Sequence, residues 1–414
     1  MVFINEKKIS VIIIGSDVNA YYMARNFNEQ YGIIPHLIAR VPMKFTSNSK
    51  ILTIEYNENL NENKVFVDLL IKRAEERKGK KIILVATNDT YLRLVIENKE
   101  ELEKYYLFNY VDVDLLNNLM LKDKFSITYK NYDIDLPKTY IYNCENKKVF
   151  NLNLVNDFKF PLVLKPGNTV TYHELHFKGQ AKVFIIKDSE ILINAIEMIK
   201  RAGYKDKLII QEFIPGDDTT LFDCDMYIST DKKVRLATFS QVVLQEPTIS
   251  GIGNCTALIN GYNEYGNTEE IVKKLVKFAE NIGVQGIVEF DLKYDKRDNK
   301  FKLLEINPRQ SRSGYYMTFC GYNVAKLLVD DLIYHKNINY KLCLEEKALC
   351  FVPKYIINKY VHNKKIKTEF NKLYKSKKIC DPLDYKKDNK ISRRFWLTLG
   401  KLNYIKKYKN SNYK

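Results

Sequence analysis

Residues 301–314 read FKLLEINPRQSRSG. An apolar, strand-like run ends in Glu305 and Asn307; Pro308 breaks it, and Arg309 and Arg312 follow. Fourteen residues before Glu305, Asp291 sits in a second apolar segment, GIVEFDL, which starts at Gly286. Two adjacent strands that each deliver an oxygen donor from one sheet face make a hard-cation site. Mg²⁺ favours such a set, with one or two carboxylates completed by water and substrate phosphates. Neighbouring arginines suit phosphate oxygens. The plain alternative is an edge strand with a solvated glutamate and a loop of ordinary positive charge, and the rest of the chain decides between them.

The 414 residues are enough for two or three domains. The net charge of +17 is uneven: residues 341–414 hold 21 Lys and Arg against 6 Asp and Glu, a net +15, which leaves about +2 for the first 340. A near-neutral body with a basic tail predicts an anionic partner, either a phosphorylated carrier or an acidic membrane surface. Nucleic acid ranks last, because no recognition motif accompanies the charge. Seven scattered cysteines without a CxxC predict reduced cytoplasmic thiols rather than disulfides or a zinc site. The N-terminus carries early charges and a short apolar run over 11–14, a buried strand rather than a signal peptide, and no stretch has the ~20 apolar residues of a membrane span. The expected location is therefore cytoplasmic, with the tail as a means of resting on the inner membrane face. Arg394 and Trp396 suit that interface; a solvated basic extension is the alternative.

Along the chain, the apolar run over 9–14 enters the turn Gly15-Ser-Asp17, followed by a helix over 19–31, a strand over 33–38 and another over 81–86 that ends in Thr87-Asn88-Asp89. This β-α-β rhythm predicts an α/β, Rossmann-like unit with ligands at the carboxyl ends of its strands. Gly15-Ser-Asp is not GxGxxG, so NAD binding is not read from it. A helix is expected over 111–120 and another from 121, with a domain boundary near Asn117. The strand over 160–165 carries Lys165 near its end, an expensive position unless the ammonium meets an anion. The strand over 207–214 presents Gln211, Glu212, Phe213 and Ile214 before Pro215, a segment able to meet an adenine edge with main-chain groups. An antiparallel pair is expected over 224–229 and 234–243, with Arg235 and Gln241 facing either substrate or packing. A loop over 245–254 is placed near an acceptor, a helix over 268–282 precedes the 286–291 strand, and a helix over 323–333 closes the unit. Beyond 340 the pattern breaks, with a strand expected over 351–359 and a Lys-rich helix over 364–378. No Ser-His-Asp set occurs among the five histidines; His173 and His176 read as a metal pair or as exposed loop residues.

The order Lys124, Lys165, the strand Gln211-Glu-Phe-Ile-Pro-Gly, Asp291, then Glu305-Ile-Asn307-Pro-Arg resembles the ATP-grasp superfamily. NPRQSRSG is similar to its carbamoyl-phosphate-synthetase-like branch. The resemblance covers residues 2–333. In layout the chain is most similar to the bacterial carboxylate–amine ligases of the D-aspartate ligase type.

The resemblance implies an α/β chain, α+β in its catalytic lobes: a Rossmann-like pre-domain over 1–117, a two-lobed ATP-grasp domain over 118–339 and a basic C-terminal extension over 340–414. It implies ATP with Mg²⁺ or Mn²⁺. Lys124 and Lys165 match the lysines on the phosphates, with Lys122 competing for the first place. Gln211 to Ile214 match the adenine hinge, and Asp217 or Asp218 the ribose carboxylate. Asp291, Glu305 and Asn307 match the metal ligands; Arg309 and Arg312 match positions that stabilise the acyl phosphate or hold the carboxylate. The phosphate flap departs from the usual Gly/Ser-rich loop, leaving Asn168, Thr169 and Thr171 as candidates. The implied reaction activates a carboxylate as an acyl phosphate and passes it to an amine, catalysed by positioning and charge. The implied substrates are a D-aspartate-like amino acid and an amine of a nucleotide-linked muramyl peptide. Rival readings are a ligase making a dipeptide or secondary metabolite, a ligase modifying a cell-surface polymer, and a catalytically idle ATP-binding module.

Overall fold

The computed structural model describes residues 8–146, 150–168, 171–172, 174–181, 183–248, 251 and 253–411. Thr169, His173 and residues 249, 250 and 252 of the expected acceptor loop lie outside that set.

The first sheet holds β1 (Ile9–Ile14), β2 (His36–Ala39), β3 (Thr53–Tyr56) and β4 (Lys81–Ala86) in the order β3-β2-β1-β4, all parallel. The chain's longest early apolar run, ISVIII, becomes the inner strand β1, buried along almost its whole length because helices cover both faces of a parallel sheet. Helix Val18–Tyr31 starts on an Asp17 cap and stops at Gly32 in the left-handed region. Strand β3 and helix Asn63–Glu75 escape sequence reading, since TIEY is short and half polar.

The second sheet holds β5 (Thr139–Asn143), β6 (Leu162–Pro166), β7 (Phe184–Ile186) and β8 (Lys207–Glu212) in the order β5-β8-β6-β7, all antiparallel. Helix Ser189–Arg201 buries Leu192, Ala195, Ile196 and Ile199, one face at helical spacing, in this sheet's core.

The third sheet has nine strands: β9 (Leu221–Ile228), β10 (Val234–Thr238), β11 (Ser240–Gln245), β12 (Cys255–Asn260), β13 (Gly286–Asp295), β14 (Lys300–Asn307), β15 (Lys341–Cys343), β16 (Lys347–Cys350) and β17 (Ile379–Cys380). Its main path is β14-β13-β9-β11-β12-β16-β17, while β10 joins β9 to β15. The single strand expected over 234–243 is broken at Phe239, and both halves pair with β9. There the Thr238 hydroxyl stands in for the ladder: it accepts from Asp225 N (3.1 Å) and donates to Asp225 O (2.8 Å).

The boundary expected near Asn117 falls inside helix Val113–Met120, which is capped by Asp112 and buries Leu116 and Leu119. The expected basic extension carries regular structure. β15 pairs with β10 and β16 with β12, so residues beyond 340 complete the large sheet. The strand expected over 351–359 does not form: β16 stops at Cys350, and Pro353, lacking an N–H, opens helix Lys354–Tyr360 instead. That helix and Lys364–Lys375 share one core with β11 and β12 through Ile356, Ile357, Phe370, Leu244 and Ile259. The last helix, Ile391–Lys409, is bolted to the first unit. Arg393 and Asp388, both with fully buried side chains, pair at 3.0 Å. Asp388 also accepts from Tyr21 Oη (2.9 Å), Ser49 Oγ (2.8 Å) and Lys50 N (2.6 Å). A buried ion pair persists only when its remaining valences are satisfied this way. All seven cysteines are free thiols. Among the described residues no helix is long and apolar enough to cross a membrane.

Candidate active site

The geometry starts from strand register. β13 lies between β9 and β14, and both pairings are antiparallel. Asp291 stands opposite Asp223 on one side and Glu305 on the other; Glu289 stands opposite Asp225 and Asn307. Because alternate residues share a face, these six form two rows of three on one surface of the sheet. Burial, reinforced by the neighbouring carboxylates, pushes Asp291 and Glu289 well above the usual carboxylate range, although Arg309 pulls Glu289 back. Asp223 is pushed up to about 6 and Asp225 to about 7, again chiefly by burial. Asn307 turns its amide nitrogen toward Asp291 (3.1 Å) and Glu289 (3.2 Å), giving a donor to crowded acceptors.

The donor chemistry fits a hard cation, as all the groups are oxygen ligands. Among the described residues no three His, Cys, Asp or Glu side chains are already arranged to hold a metal ion.

The loop after β14 is stitched between the first unit and this array. Asn19 Nδ2 donates to Gln310 O (3.3 Å), Gln310 Nε2 to Ala86 O (3.0 Å) and Tyr22 Oη to Ser311 O (2.9 Å). Ser311 Oγ donates to Asp225 (2.8 Å) and Ser313 Oγ to Asp223 (3.1 Å). Arg309 is engaged rather than poised: Nε donates to Asp89 Oδ1 at 2.6 Å, and Nη1 lies 3.5 Å from Glu289. Arg312 turns elsewhere, donating through Nη2 to Tyr404 Oη at 2.8 Å.

On the second sheet, Lys165 Nζ donates to Gln211 Oε1 (2.9 Å), and Gln211 Nε2 donates to Thr139 Oγ1 (2.9 Å). Lys165 and Gln211 line the cleft of about 690 Å³ that also contains Asp291, Glu305, Asn307, Arg309 and Arg312. Lys124 does not: it is exposed and off the cleft, whereas Lys122 lines it with Phe125 and Ser126. The helix Lys122–Thr128 decides this, since residues three and four apart share a face and a residue two away does not. Glu212, Phe213 and Ile214 lie beside the cleft rather than on its lining. Glu212 accepts from Lys138 N (2.8 Å) and pairs with Arg297 (3.0 Å); Ile214 is buried. Asp217 caps a short 3₁₀ turn by accepting from Thr219 N at 3.0 Å, and Asp218 accepts from Gln245 N at 2.8 Å. Lys293, two residues past Asp291 on the same face, sits 5.7 Å over the Phe213 ring. Burial draws its ammonium down while Asp218 and Asp217 pull it back up. Period-two reading from Asp291 could have found it.

Other expectations resolve as packing. Arg235 is tied to Ser229 (2.7 Å) and Ile338 O (2.8 Å), and Gln241 is fully buried with Nε2 on Thr219 O (2.7 Å). His176 Nδ1 lies 2.7 Å from Leu175 O. Asn168 spends its amide on Asp206 (2.9 Å), and Thr171 is exposed. From the acceptor loop, Thr248, Gly251, Gly253 and Asn254 do line the cleft.

Three further parts of the chain contribute to the lining; the sequence pointed to the strand ends of the first unit and to the 245–254 loop, but not to the last helix. The first unit supplies Asp17, Asn19, Lys44, Asn88 and Asp89 at the carboxyl ends of its strands. There Gly15 has φ +121°, and an added Cβ would lie 2.1 Å from Thr87 Oγ1, so only glycine fits. The last helix supplies Tyr404 and Lys407, and the β11–β12 loop supplies Glu246.

A family model described as "ATP-grasp in the biosynthetic pathway with Ter operon" matches residues 259–343. The chain is 34% identical to the D-aspartate ligase of Enterococcus faecium (strain Aus0004), covering 98% of this chain and 97% of that one. Among solved structures it is similar to the L-amino acid ligase from Bacillus licheniformis, with TM-score 0.54 and 16% identity over 78% of this chain and 74% of that one. It also resembles the biotin carboxylase domain of Hydrogenobacter thermophilus 2-oxoglutarate carboxylase in complex with MgADP, with TM-score 0.60 and 13% identity over 80% and 71%. These two likenesses are of fold.

Proposed function

The chain belongs to the ATP-grasp carboxylate–amine ligases, in the family of the D-aspartate ligase it resembles, and on that premise we propose which acid and which amine it joins. The donor is a D-aspartate-like amino acid, linked through a carboxylate to the side-chain amine of a nucleotide-linked muramyl peptide. The observation that carries this reading is the full-length 34% identity to a D-aspartate ligase. Asp291 and Glu305, facing each other across β13 and β14 inside the cleft, agree with it.

In this reading Lys165, with Lys122 in place of Lys124, holds the ATP phosphates. Gln211 and the hinge over 212–214 hold the adenine, and Lys293 with Asp217 or Asp218 meets the ribose. Asp291, Glu305 and Asn307 would hold Mg²⁺ or Mn²⁺, which, when bound, offsets the charge of the transferred phosphoryl group. The chain's own residues then work by placement. The donor carboxylate is aligned on the γ-phosphate to form an acyl phosphate and ADP, and the amine displaces phosphate from the acyl carbon. Arg309, bonded to Asp89 and close to Glu289, fixes the first unit against the acid array. Arg312 faces the donor.

We keep 1–117, 118–339 and 340–414 as a proposed division of labour, with a cytoplasmic location. The last helix contains no acidic residue and exposes Ile391, Phe395, Trp396, Leu399 and Leu402 beside Lys390, Arg394, Lys406 and Lys409. An apolar face with cationic neighbours suits an anionic bilayer surface. Co-sedimentation with anionic but not zwitterionic vesicles, lost in Trp396→Glu, is the expected result; unchanged sedimentation of the variant would remove the membrane from the proposal.

The decisive assay is phosphate release over D- and L-amino acids, with and without a nucleotide-linked muramyl pentapeptide, together with hydroxylamine trapping of the acyl phosphate. Release that depends on D-aspartate and the pentapeptide supports the reading. Release with other acids alone would turn it into one of the rival ligases, and no carboxylate-dependent ADP at all would leave an idle ATP-binding module.

A further inference from the structure

Positive charge in the cleft is unevenly placed, and part of it lies away from the acid array. Arg309 is committed to Asp89 and Glu289. Lys122 and Lys165 belong with the second sheet and its proposed phosphate contacts. Among the described residues three cleft-lining cations remain, Lys44, Arg312 and Lys407, and the last two pair with Glu246. Lys407 bonds Glu246 Oε1, and Arg312 Nη2 lies 3.6 Å from Oε2. Burial, followed by the nearby charge of Lys407, pulls the Lys44 ammonium below its ordinary value; Arg312 adds to this and Glu246 opposes it. Two buried atoms at the centre of the group, Arg312 Nε and Glu246 Oε2, lack a hydrogen-bond partner. Three cations around one carboxylate leave a surplus that favours an incoming anion.

A second observation points the same way. Gly400 lies in the interior of helix Ile391–Lys409, where glycine costs roughly 1 kcal/mol relative to alanine. A Cβ there would lie 3.2 Å from Lys44 Nζ. The glycine leaves room for that ammonium. Arg312 also adjoins the metal-and-phosphate end, since its neighbour Ser313 bonds Asp223 of the acid array at 3.1 Å. Arg312 thus links the cationic group to the acid array within one cleft.

We propose that Lys44, Arg312 and Lys407 form a subsite for the second, non-reacting carboxylate of the donor, selecting a dicarboxylic amino acid over its uncharged analogues. The subsite rests on the proposed ligase reaction and adds the residues that choose its acid. It joins three distant segments of the chain, so donor selection depends on the docked C-terminal helix.

The test compares aspartate with asparagine as donor at saturating ATP, by phosphate release and by calorimetric binding in the presence of a non-hydrolysable ATP analogue. Lys44→Met and Lys407→Met should each raise the aspartate KM about tenfold, the worth of one charge-assisted hydrogen bond. The KM for ATP should stay within about twofold, and the aspartate-over-asparagine preference should shrink by the same factor. Lys407→Arg should restore most of it. Lys407→Met leaves Glu246 buried without its partner, so thermal melting accompanies it; Lys44→Met breaks no ion pair and carries the test if Lys407→Met unfolds. An unchanged preference in Lys44→Met, or an equal loss for both donors and for ATP, overturns the subsite. A wild-type enzyme that turns over only uncharged donors overturns both the subsite and the proposed donor. An enzyme that prefers aspartate, with no effect of either variant, overturns the subsite alone.

Discussion

The acid array and the cationic group around Glu246 lie in one cleft but are built by opposite routes. Asp223, Asp291 and Glu305 come from three neighbouring strands, and their alignment is a consequence of hydrogen-bond register. Lys44, Glu246, Arg312 and Lys407 come from the first unit, a β-loop, the loop after β14 and the last helix, and meet only when those parts dock. The first group is local and stiff; the second is as good as the docking that assembles it. Damage at the array should therefore stop the chemistry, while damage to the docking should first spoil recognition of the donor.

Asp291→Asn gives the sharpest contrast. It removes one of two facing carboxylates, and ADP formation should fall at least about 10²-fold in kcat, with the thermal midpoint preserved or raised because a crowded buried charge is gone. Full activity in this variant would break the assignment of the array.

Asp388→Ala attacks the other route. It strands Arg393 without its partner at a fully buried site, which should cost about 3–5 kcal/mol in urea denaturation. The donor KM should rise before the ATP KM does. Equal loss of both would mean that the last helix supports the whole fold rather than one end of the cleft.

The array should also reveal itself through pH. Asp223 and Asp225 titrate at about 6 and about 7, above the ordinary 3.8. Between those limits the folded protein keeps protons that the unfolded chain has released. Their stabilising contribution is therefore complete below about pH 4 and is lost progressively as pH rises from there through 6 to 7. Asp225→Asn should flatten the melting profile over that window; an unaltered profile would assign the slope to other groups.

The smallest effect separates two lysines. Lys122→Met should raise the ATP KM about tenfold, whereas Lys124→Met should change it less than about twofold. The reverse result would show that the helix Lys122–Thr128 turns its other face to ATP.

How much of this was legible follows the same division. A 14-residue spacing between Asp291 and Glu305, two apolar runs and a turn were enough to place both carboxylates across one strand pair, and the structure pairs them directly. Lys165 and Gln211 were legible as polar residues at the ends of apolar strands. Lys124 was not, because choosing between it and Lys122 needs the phase of a seven-residue helix. Arg309 was legible as a cation beside the carboxylates, but its bond to Asp89 depends on how the first unit meets the loop. The basic stretch beyond 340 concealed a sheet edge and a core, since charge composition reports on the exposed faces and says nothing about Ile356, Phe370 or Tyr408 beneath them.

By itself, then, the sequence determined that Asp291 and Glu305 lie on two apolar strands of one pair, and its motif order resembled the ATP-grasp superfamily to which the chain belongs. The strand pair rests on short-range rules, period-two alternation and strand spacing, which every folded copy of such a segment must obey. Only the tertiary structure decided that the C-terminal residues help to line the cleft, that Arg309 joins the first unit to the acid array, and that Arg312 and Lys407 meet at Glu246 beside Lys44. Contacts between residues hundreds of positions apart arise from burial and packing of whole faces, and no local pattern encodes which faces meet.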